Sequence, residues 1–461
     1  MTVQAAPARS TTRAIDDPGA GHRRWALFLL VVVYLFNFID RTIIGTLGQA
    51  IKDDLKVSDF QLGLLGGLVF ALFYSALGLP IARLAERKDR VTIIALAAGF
   101  WSLMTTLCGF AQGFTHLLLA RLGVGVGEAG FVPAAQSALA DYYPPEKRSS
   151  ALAIFNLGIP LGNMFGAFAA GAVAQAWGWR MAFIIVGLPG VLLGLLIKFT
   201  VKEPPRGRFD VAAAPTAPPL SEVLNQLLSK PTFRHMMMGC GLCAFGGYSL
   251  MQFTHPFFVR NFNLPYGQAA ILQGLIGGVG TGVGMLVGGF LPDRIGRTDK
   301  RWYLWTPAIG GLLAAPVYCA GLIAPVWPAA FAIILLGGVF QYFYLSPTYA
   351  VAHNMVDPRM RASATAILIL AMNIIGLMCG PSFTGFMSDL IAGQVFPLGD
   401  YAVLCPGGKA AAGAAAGLDA ACKLASAEGL KRALMLSSLA FTWSAFHYWM
   451  AARSLRKDMA G

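Results

Sequence analysis

Four ionisable side chains interrupt long apolar stretches of this sequence and could carry the chemistry of proton or ion movement. Asp40 and Arg41 fall in the apolar run 25–50, and Arg121 and Glu128 fall in the run 115–140. A charge at the centre of a hydrocarbon layer costs roughly 2.5–3.5 kcal/mol on insertion scales, so such residues normally face an aqueous cavity and pair with one another. We therefore predict that these four residues, the charge cluster, form the functional centre.

Helical geometry predicts which members of the charge cluster meet. At about 1.5 Å per residue, Asp40 and Arg121 lie at nearly the same depth if their helices run in opposite directions, so we expect a contact between them. Glu128 follows Arg121 by two turns on the same face, and Gly125 between them is expected to leave an open groove. Arg41 lies about 100° around its helix from Asp40 and needs a different partner. A second stripe of small residues, suited to close packing against another helix, is formed by Gly123, Gly127 and Gly130.

A carboxylate held beside an arginine in an apolar site is a natural proton carrier. Desolvation favours the neutral carboxyl, whereas a nearby arginine favours the charged form. A conformational change that moves the arginine would therefore alter the proton affinity of the acid. The alternative is a static network of ion pairs that only holds the two helices together.

The elements that position these charges are predicted to be membrane-spanning helices. The chain has 461 residues, of which 56% are hydrophobic and 12% are charged, against about 25% charged in soluble domains. A spanning helix needs roughly 20 apolar residues, and membrane β-strands would alternate polar and apolar residues over about 10 positions. Twelve runs satisfy the helical pattern: 25–50, 62–83, 91–111, 115–140, 149–172, 180–200, 234–258, 267–291, 302–323, 326–352, 362–387 and 431–452.

The placement of basic residues predicts the orientation of these helices. With a cytoplasmic tail over 1–24, the inner segments hold 25 of the 35 Lys and Arg residues and the outer loops hold eight, as the positive-inside rule requires. The net charge of +13 then faces the anionic inner leaflet, so no nucleic-acid partner is expected. The other connections that stand out are a cytoplasmic linker at 201–233, a long outer loop at about 388–430 and a cytoplasmic tail at 453–461.

Two copies of a short motif divide the chain into related halves. The segment 289–297 reads G-F-L-P-D-R-I-G-R, and the segment 82–90, which lies 207 residues earlier, reads A-R-L-A-E-R-K-D-R. The pattern resembles the signature loop of the major facilitator superfamily, which the second copy matches at every fixed position. The first copy departs from it at Ala82, Glu86 and Asp89. The resemblance implies an all-α fold of twelve transmembrane helices in two pseudo-symmetric six-helix bundles, 25–200 (the first half) and 234–452 (the second half).

Charges in these two loops suggest a conformational latch. A short acid and arginines at a helix end can bridge to neighbouring helix termini and hold one conformation. The alternative for Arg87 and Arg90 is that they serve only as positive-inside anchors. The predicted latch residues are Glu86, Arg87, Arg90, Asp293, Arg294 and Arg297.

A narrower resemblance rests mainly on the first half. The segments 121–130 (R-L-G-V-G-V-G-E-A-G), 133–144 (P-A-A-Q-S-A-L-A-D-Y-Y-P) and 36–41 (F-N-F-I-D-R) are similar to the spinster family, although related organic-anion symporters share parts of them. The resemblance implies export or exchange of amphipathic lipids, such as lysophospholipids or sphingosine 1-phosphate, often with proton coupling. It also implies that Asp40, Arg41, Arg121 and Glu128 are the coupling residues.

Aromatic and amide side chains predict where the apolar part of such a substrate binds. Groups of this kind around few charges suit a ligand with a tail and a headgroup, although ordinary helix packing is the alternative at each position. The candidate cavity residues are Asn37, Tyr248, Gln252, His255, Gln341, Tyr342 and Asn373.

The remaining motifs argue against an enzyme. G-V-G-E-A-G at 125–130 fits a dinucleotide fingerprint only by letter, because no strand precedes it. No zinc spacing, nucleophile elbow or phosphate loop is present, so no metal or cofactor is expected. Cys405 and Cys422 share the outer loop and are either a disulfide or two free thiols.

Together these features predict a monomeric, proton-linked transporter of a lipid-like substrate in the inner membrane. A multidrug exporter or organic-anion symporter of the same fold is one alternative. A membrane sensor or scaffold that does not transport is another.

Overall fold

A computed structural model of the chain describes residues 19–206, 208–209, 220–356, 360–411 and 413–460, which form helices and their connections, with no β-strand in these ranges. The first half contains α1 (Gly19–Leu55), α2 (Asp59–Gly66), α3 (Leu68–Arg87), α4 (Arg90–Cys108), α5 (Phe114–Glu128), α6 (Phe131–Tyr142), α7 (Pro145–Asn156), α8 (Gly158–Trp177) and α9 (Trp179–Thr200). After α10 (Leu220–Ser229), the second half contains α11 (Pro231–Phe262), α12 (Tyr266–Leu275), α13 (Thr281–Ile295), α14 (Trp302–Leu322), α15 (Trp327–Gln341), α16 (Leu345–Asn354), α17 (Arg361–Ala371), α18 (Gly380–Val395), α19 (Tyr401–Leu404) and α20 (Ala416–Ala460).

Ten helical stretches in the described ranges are long and apolar enough to cross a membrane, and they coincide with ten of the twelve predicted runs. The other two runs lie in α11 and α20. These are continuous helices, but glycine, serine and histidine lower their mean hydropathy. These two helices pack tightly against each other inside the second half. The all-helical membrane fold is confirmed, and a count of twelve crossings stays a prediction.

Several predicted runs are interrupted by short breaks. The fourth run is divided between α5 and α6, because Pro133 lacks the N–H that would bond the carbonyl of residue 129. The eighth and eleventh runs each contain a π-helical turn, Ile276–Gly280 and Met372–Met378. Breaks of this kind often lie at functional sites.

The segment 388–430, predicted to be an outer loop, is helical at both of its ends. Helix α18 continues to Val395, and α20 begins at Ala416, where the sequence becomes rich in Ala and Leu, which have a high helix propensity. The linker at 201–233 likewise contains helix α10. Most of the predicted N-terminal tail lies outside the described residues, and the segment 453–460 continues α20 as a helix.

The two halves meet mainly at one end of the bundle, where α1 ends at Leu55 and α2 begins; we refer to this as the Leu55 end. Helix α2 packs on α18, and α8 packs on α12. Gly63 approaches Pro381, and Gly171 approaches Ala270, so closely that a Cβ atom on either glycine would collide. The opposite end, where α4 begins, is the Arg90 end.

Candidate functional site

The charge cluster forms two separate ion pairs between α1 and α5. Arg41 donates from Nε to Glu128 Oε2 at 2.7 Å, and Arg121 donates from Nη1 to Asp40 Oδ1 at 3.3 Å. The second contact is the one that the depth of the two residues predicts. Asp40, Arg121 and Glu128 are buried, with Glu128 fully shielded from solvent, and the Arg41 side chain is 9% exposed.

An aromatic ring lies between the two pairs. The guanidinium of Arg41 is 5.1 Å from the centroid of the Phe70 ring, and that of Arg121 is 5.5 Å from the same centroid. Tyr74 lies one turn further along α3, with its ring centroid 4.7 Å from Arg41. Cation–π attraction therefore supports both arginines, and Phe70 from α3 keeps the two cations apart.

Each acid of the cluster keeps one oxygen without a protein partner. Asp40 Oδ1 also accepts a hydrogen bond from Thr105 Oγ1 at 2.7 Å, but Asp40 Oδ2, Glu128 Oε1 and Arg121 Nε have none. Asn37, one turn before Asp40, is buried and both of its amide atoms are unpartnered. Buried polar atoms usually have partners, so this region is suited to binding water, a proton or a polar group of a substrate.

The glycines of α5 bring neighbouring helices close to the charges. A Cβ atom on Gly127 would lie 2.8 Å from the backbone nitrogen of Trp101, and one on Gly123 would lie 2.6 Å from Met104 Sδ, so the predicted stripe does pack closely against α4. The open groove expected at Gly125 is wrong. A Cβ there would lie 2.8 Å from the Phe70 carbonyl oxygen, because α3 fills the space.

A cavity of about 50 Å³ lies between the halves. It begins beside the charge cluster, since Thr42, the residue after Arg41 on α1, lines it. Thr42 and Asn163 line it from the first half, where they are hydrogen bonded at 2.8 Å. Gln341 and Tyr342, two of the candidate cavity residues, line it from the second half. Sequence reasoning missed the other polar lining residues, which are spread over several helices without a common motif: Thr254, Gln273, Thr281 and Tyr318.

The other candidate cavity residues lie elsewhere. Gln252 donates to the Leu62 carbonyl at 3.2 Å and His255 contacts the Tyr266 carbonyl at 3.0 Å, so both hold helices together and neither lines this cavity. Tyr248 packs against two hydrophobic clusters, one that spans both halves and one that lies mainly in the first half. Asn37 lies beside the charge cluster, and Asn373 lies in the second π-helical turn.

The two signature loops differ in their contacts. Arg90 is buried and pairs with Asp141 at 2.5 Å and with Glu203 at 2.6 Å, while Glu203 also accepts hydrogen bonds from the first two backbone N–H groups of α4. Asp293 accepts a hydrogen bond from Tyr303 at 2.7 Å. In the described part of this conformation we find no ion pair at Arg87, Arg294 or Arg297, which are exposed; the side chain of Glu86 lies outside that part. The copy that matches the signature less well therefore has the stronger network.

A second charge network, at the Leu55 end, was not predicted as a site. Asp59 pairs with Lys52 at 2.7 Å and with Arg260 at 2.7 Å, and all three side chains are at least 95% shielded. Ser388 donates to Asp59 at 2.6 Å, and Asp389 accepts from the N–H groups of Asp59 and Phe60 at the start of α2. The capping box of Ser58 and Gln61 is the sequence signal that places Asp59 at a helix start.

These networks contain no candidate metal site. Within the described ranges, no group of three or more His, Cys, Asp or Glu side chains is arranged to hold a metal ion. The geometry combines buried, paired charges with a cavity at the contact between the two halves.

Comparison with known proteins agrees with this architecture. Residues 30–315 match the sequence profile of the Major Facilitator Superfamily. A bacterial homolog of the human lysosomal transporter Spinster, solved in an inward-facing and unoccupied conformation, has a TM-score of 0.88 and 34% identity, covering 95% of this chain and 99% of that one. An MFS-type efflux pump of Mycolicibacterium smegmatis is 29% identical over 96% of each chain. Protein spinster homolog 1 of Xenopus tropicalis is 29% identical over 81% of this chain and 74% of its own.

The duplicated bundle, the signature loops and these matches lead to one family. No catalytic family is indicated, and the fold is that of a multi-pass membrane transporter. The chain belongs to the major facilitator superfamily and, within it, to the spinster family of transporters.

Proposed function

We propose that the protein is a proton-coupled secondary transporter that moves an amphipathic, lipid-like substrate by alternating access. It works as a monomer in the inner membrane with both termini in the cytoplasm. The bias of Lys and Arg towards the Arg90 end supports this orientation. The Leu55 end is then the outer end, and the Arg90 end is the inner end.

The observation that carries the proton coupling is the pair of buried salt bridges, each of which leaves an acceptor oxygen of its acid unpartnered. A proton on Glu128 would weaken its attraction to Arg41 and free that arginine to move. Because Arg41 lies on α1, which contacts α11 of the second half, such a movement can be passed to the contact between the halves. The transporter is thereby coupled to the proton gradient.

The distribution of contacts supports an inward-facing state. Hydrogen bonds between the halves concentrate at the outer end, for example Arg260 with Asp59 and Tyr266 with Asp53 at 2.7 Å. At the inner end, the contacts of Arg90 stay within the first half and its linker. The solved spinster homolog of similar shape is likewise described as inward-facing.

The lipid-like substrate is supported by the mixture of groups between the halves. Amide and hydroxyl groups line the cavity together with the apolar side chains of Leu250, Met251 and Ile276, whereas the charges lie in the first half beside it. The efflux pump relative favours a second candidate, a multidrug exporter on the same fold, and an organic-anion symporter is a further variant. A panel of lysolipids, cationic dyes and small carboxylates in a liposome uptake assay separates these substrates.

A protein that only senses its ligand remains the alternative from another class. Counterflow of labelled substrate in liposomes distinguishes the two, because a sensor binds substrate but does not exchange it across the membrane.

Replacement of Glu128 tests the proposed coupling. Glu128→Gln keeps the shape of the side chain but removes its titratable proton, so we expect pH-driven uptake to be lost while counterflow persists. Glu222→Gln, in the exposed face of α10, is the matched control and should leave both activities unchanged. Normal pH-driven uptake by a monodisperse Glu128→Gln protein would contradict the assignment.

A further inference from the structure

The connection between α18 and α20 is a small folded unit. Cys405 and Cys422 form a disulfide that ties this connection to the start of α20. The rings of Phe396 and Tyr401 pack edge to face, 5.7 Å apart, in a separate hydrophobic cluster that includes both cysteines. Asp400 caps α19 by accepting from the Ala402 N–H at 2.9 Å. We refer to residues 396–409 as the outer clasp; its shape is fixed relative to the second half.

The outer clasp rests on the first half. Gly407 and Gly408 have φ angles of +70° and +82°. A Cβ atom on Gly407 would lie 2.9 Å from the Lys52 carbonyl oxygen and 3.0 Å from the Lys56 Cα atom. Both the backbone conformation and the close approach to the end of α1 therefore require glycine.

One acid joins the clasp to the rest of the outer end. Lys409 Nζ lies 2.8 Å from Asp53 Oδ2, which also accepts a hydrogen bond from Tyr266 at 2.7 Å. The other oxygen, Asp53 Oδ1, accepts from Gln49 at 2.8 Å, and Gln49 in turn accepts from Arg260 at 2.5 Å. Asp53 belongs to the first half, whereas Lys409, Tyr266 and Arg260 belong to the second.

We propose that the outer clasp holds the outer end of the transporter closed, and that its disulfide keeps the glycines and Lys409 in place on α1. Separation of the halves at this end must break the Lys409–Asp53 pair and lift Gly407 from α1. Because the disulfide ties the clasp to α20, the clasp cannot stay with the first half when the second half moves away. The functional meaning of this inference rests on the proposed alternating access. Its test does not, because it measures only the opening of this end.

The clasp also borders a cavity that is open to solvent. This cavity has a volume of about 530 Å³, and it is lined by Lys52 and Lys56 of the first half and by Asp389, Tyr401 and Gly408 of the second. Water therefore already reaches one side of the contact, and opening of this end depends on breaking the contacts just described.

Hydrogen exchange measured by mass spectrometry tests the proposal without substrate or a pH gradient. In the purified protein in nanodiscs, Lys409→Ala should raise the exchange rate of the segment 49–66 about two- to fivefold, the range expected for a partly exposed ion pair. Cys405→Ser with Cys422→Ser should raise it further, because the clasp loses its fixed shape. Lys423→Ala is the matched control, since Lys423 pairs with Asp419 inside the second half and should leave the segment unchanged.

The outcomes separate the clasp from its alternatives. Unchanged exchange of 49–66 in both the Lys409→Ala and the double serine proteins would overturn the proposal. If the double serine protein also exchanges faster throughout α14, it has lost its fold. The exchange rate of 49–66 in Lys409→Ala then decides whether the proposal stands. Absence of proton-driven uptake in the wild-type protein would overturn the proposed function but leave this result standing.

Discussion

At the scale of single residues, the charge cluster places two cations and two acids in a nearly dry site. Burial of such pairs is costly, and removal of one partner leaves a charge that neither water nor protein stabilises. The pairing of Arg41 with Glu128 and of Arg121 with Asp40, on either side of Phe70, keeps each charge beside an opposite one. This arrangement allows one pair to change without exposing the other.

A double-mutant comparison separates the structural role of Arg41 from its functional role. Arg41→Met leaves Glu128 buried without its cation and should lower the free energy of unfolding by about 3–5 kcal/mol. Arg41→Met with Glu128→Leu removes both charges and should recover most of that stability. Thermal unfolding in detergent measures both effects, and proton-driven uptake should be absent in both proteins. Recovery of uptake together with stability in the double variant would show that the pair only holds the helices together.

At the scale of the helices, close approach of backbones sets the position of the charges. Gly127 contacts α4 at Trp101, and Gly125 contacts α3 at Phe70. These contacts fix the rotation of α5, and hence the direction in which Arg121 and Glu128 point. The two glycine faces of α5 therefore position the charged side chains, a role that the packing of large side chains has in other helices.

Addition of a single methyl group tests this positioning. Gly127→Ala should lower stability by about 1–3 kcal/mol, the usual cost of overpacking, because the Trp101 backbone cannot move away easily. Gly282→Ala in α13, where a Cβ meets no atom within 4 Å, is the control and should change stability by less than about 1 kcal/mol. Thermal unfolding measures the difference, and equal effects of the two substitutions would contradict it.

Sequence reasoning succeeded where a property depends on a single helix, or on the depth of two residues in the membrane. The apolar runs, the meeting of Asp40 with Arg121 and the packing face of Gly123 and Gly127 are of this kind. It failed at Gly125, because the groove there is filled by α3, and no local pattern shows which helix is adjacent. It also missed the pairing of Asp59 with Arg260, since their separation of 201 residues can be bridged only when both halves are assembled.

At the scale of the whole molecule, the two ends of the bundle carry opposite kinds of network. Asp59 at the Leu55 end joins the halves through Arg260 and Ser388, whereas the ion pairs of Arg90 at the opposite end stay within the first half and its linker. The proposed inward-facing state requires this difference, because in that state only the Leu55 end is closed. Asp59 is then the residue whose loss should shift the conformational equilibrium most.

Electron–electron distance measurements on spin-labelled protein test that shift. Labels at Gln112 and Pro325 report on the outer loops, where both residues are exposed. Asp54→Ala is the control, because Asp54 pairs with Arg180 inside the first half at 2.6 Å. The labels require replacement of the free cysteines, with the disulfide kept: Cys108, Cys240, Cys243, Cys319 and Cys379.

Asp59→Ala leaves Lys52 and Arg260 buried beside each other without the carboxylate that pairs with both. The closed state alone bears this cost, about 3–5 kcal/mol, because an open outer end lets both cations hydrate. Since each tenfold change in an equilibrium constant corresponds to about 1.4 kcal/mol, the ratio of outward-open to inward-facing molecules should rise roughly hundredfold or more. The distance between the labels should lengthen in Asp59→Ala and stay at the wild-type value in Asp54→Ala. An unchanged distance in a folded Asp59→Ala protein would mean that packing of α2 on α18, rather than the ion pairs, closes the outer end.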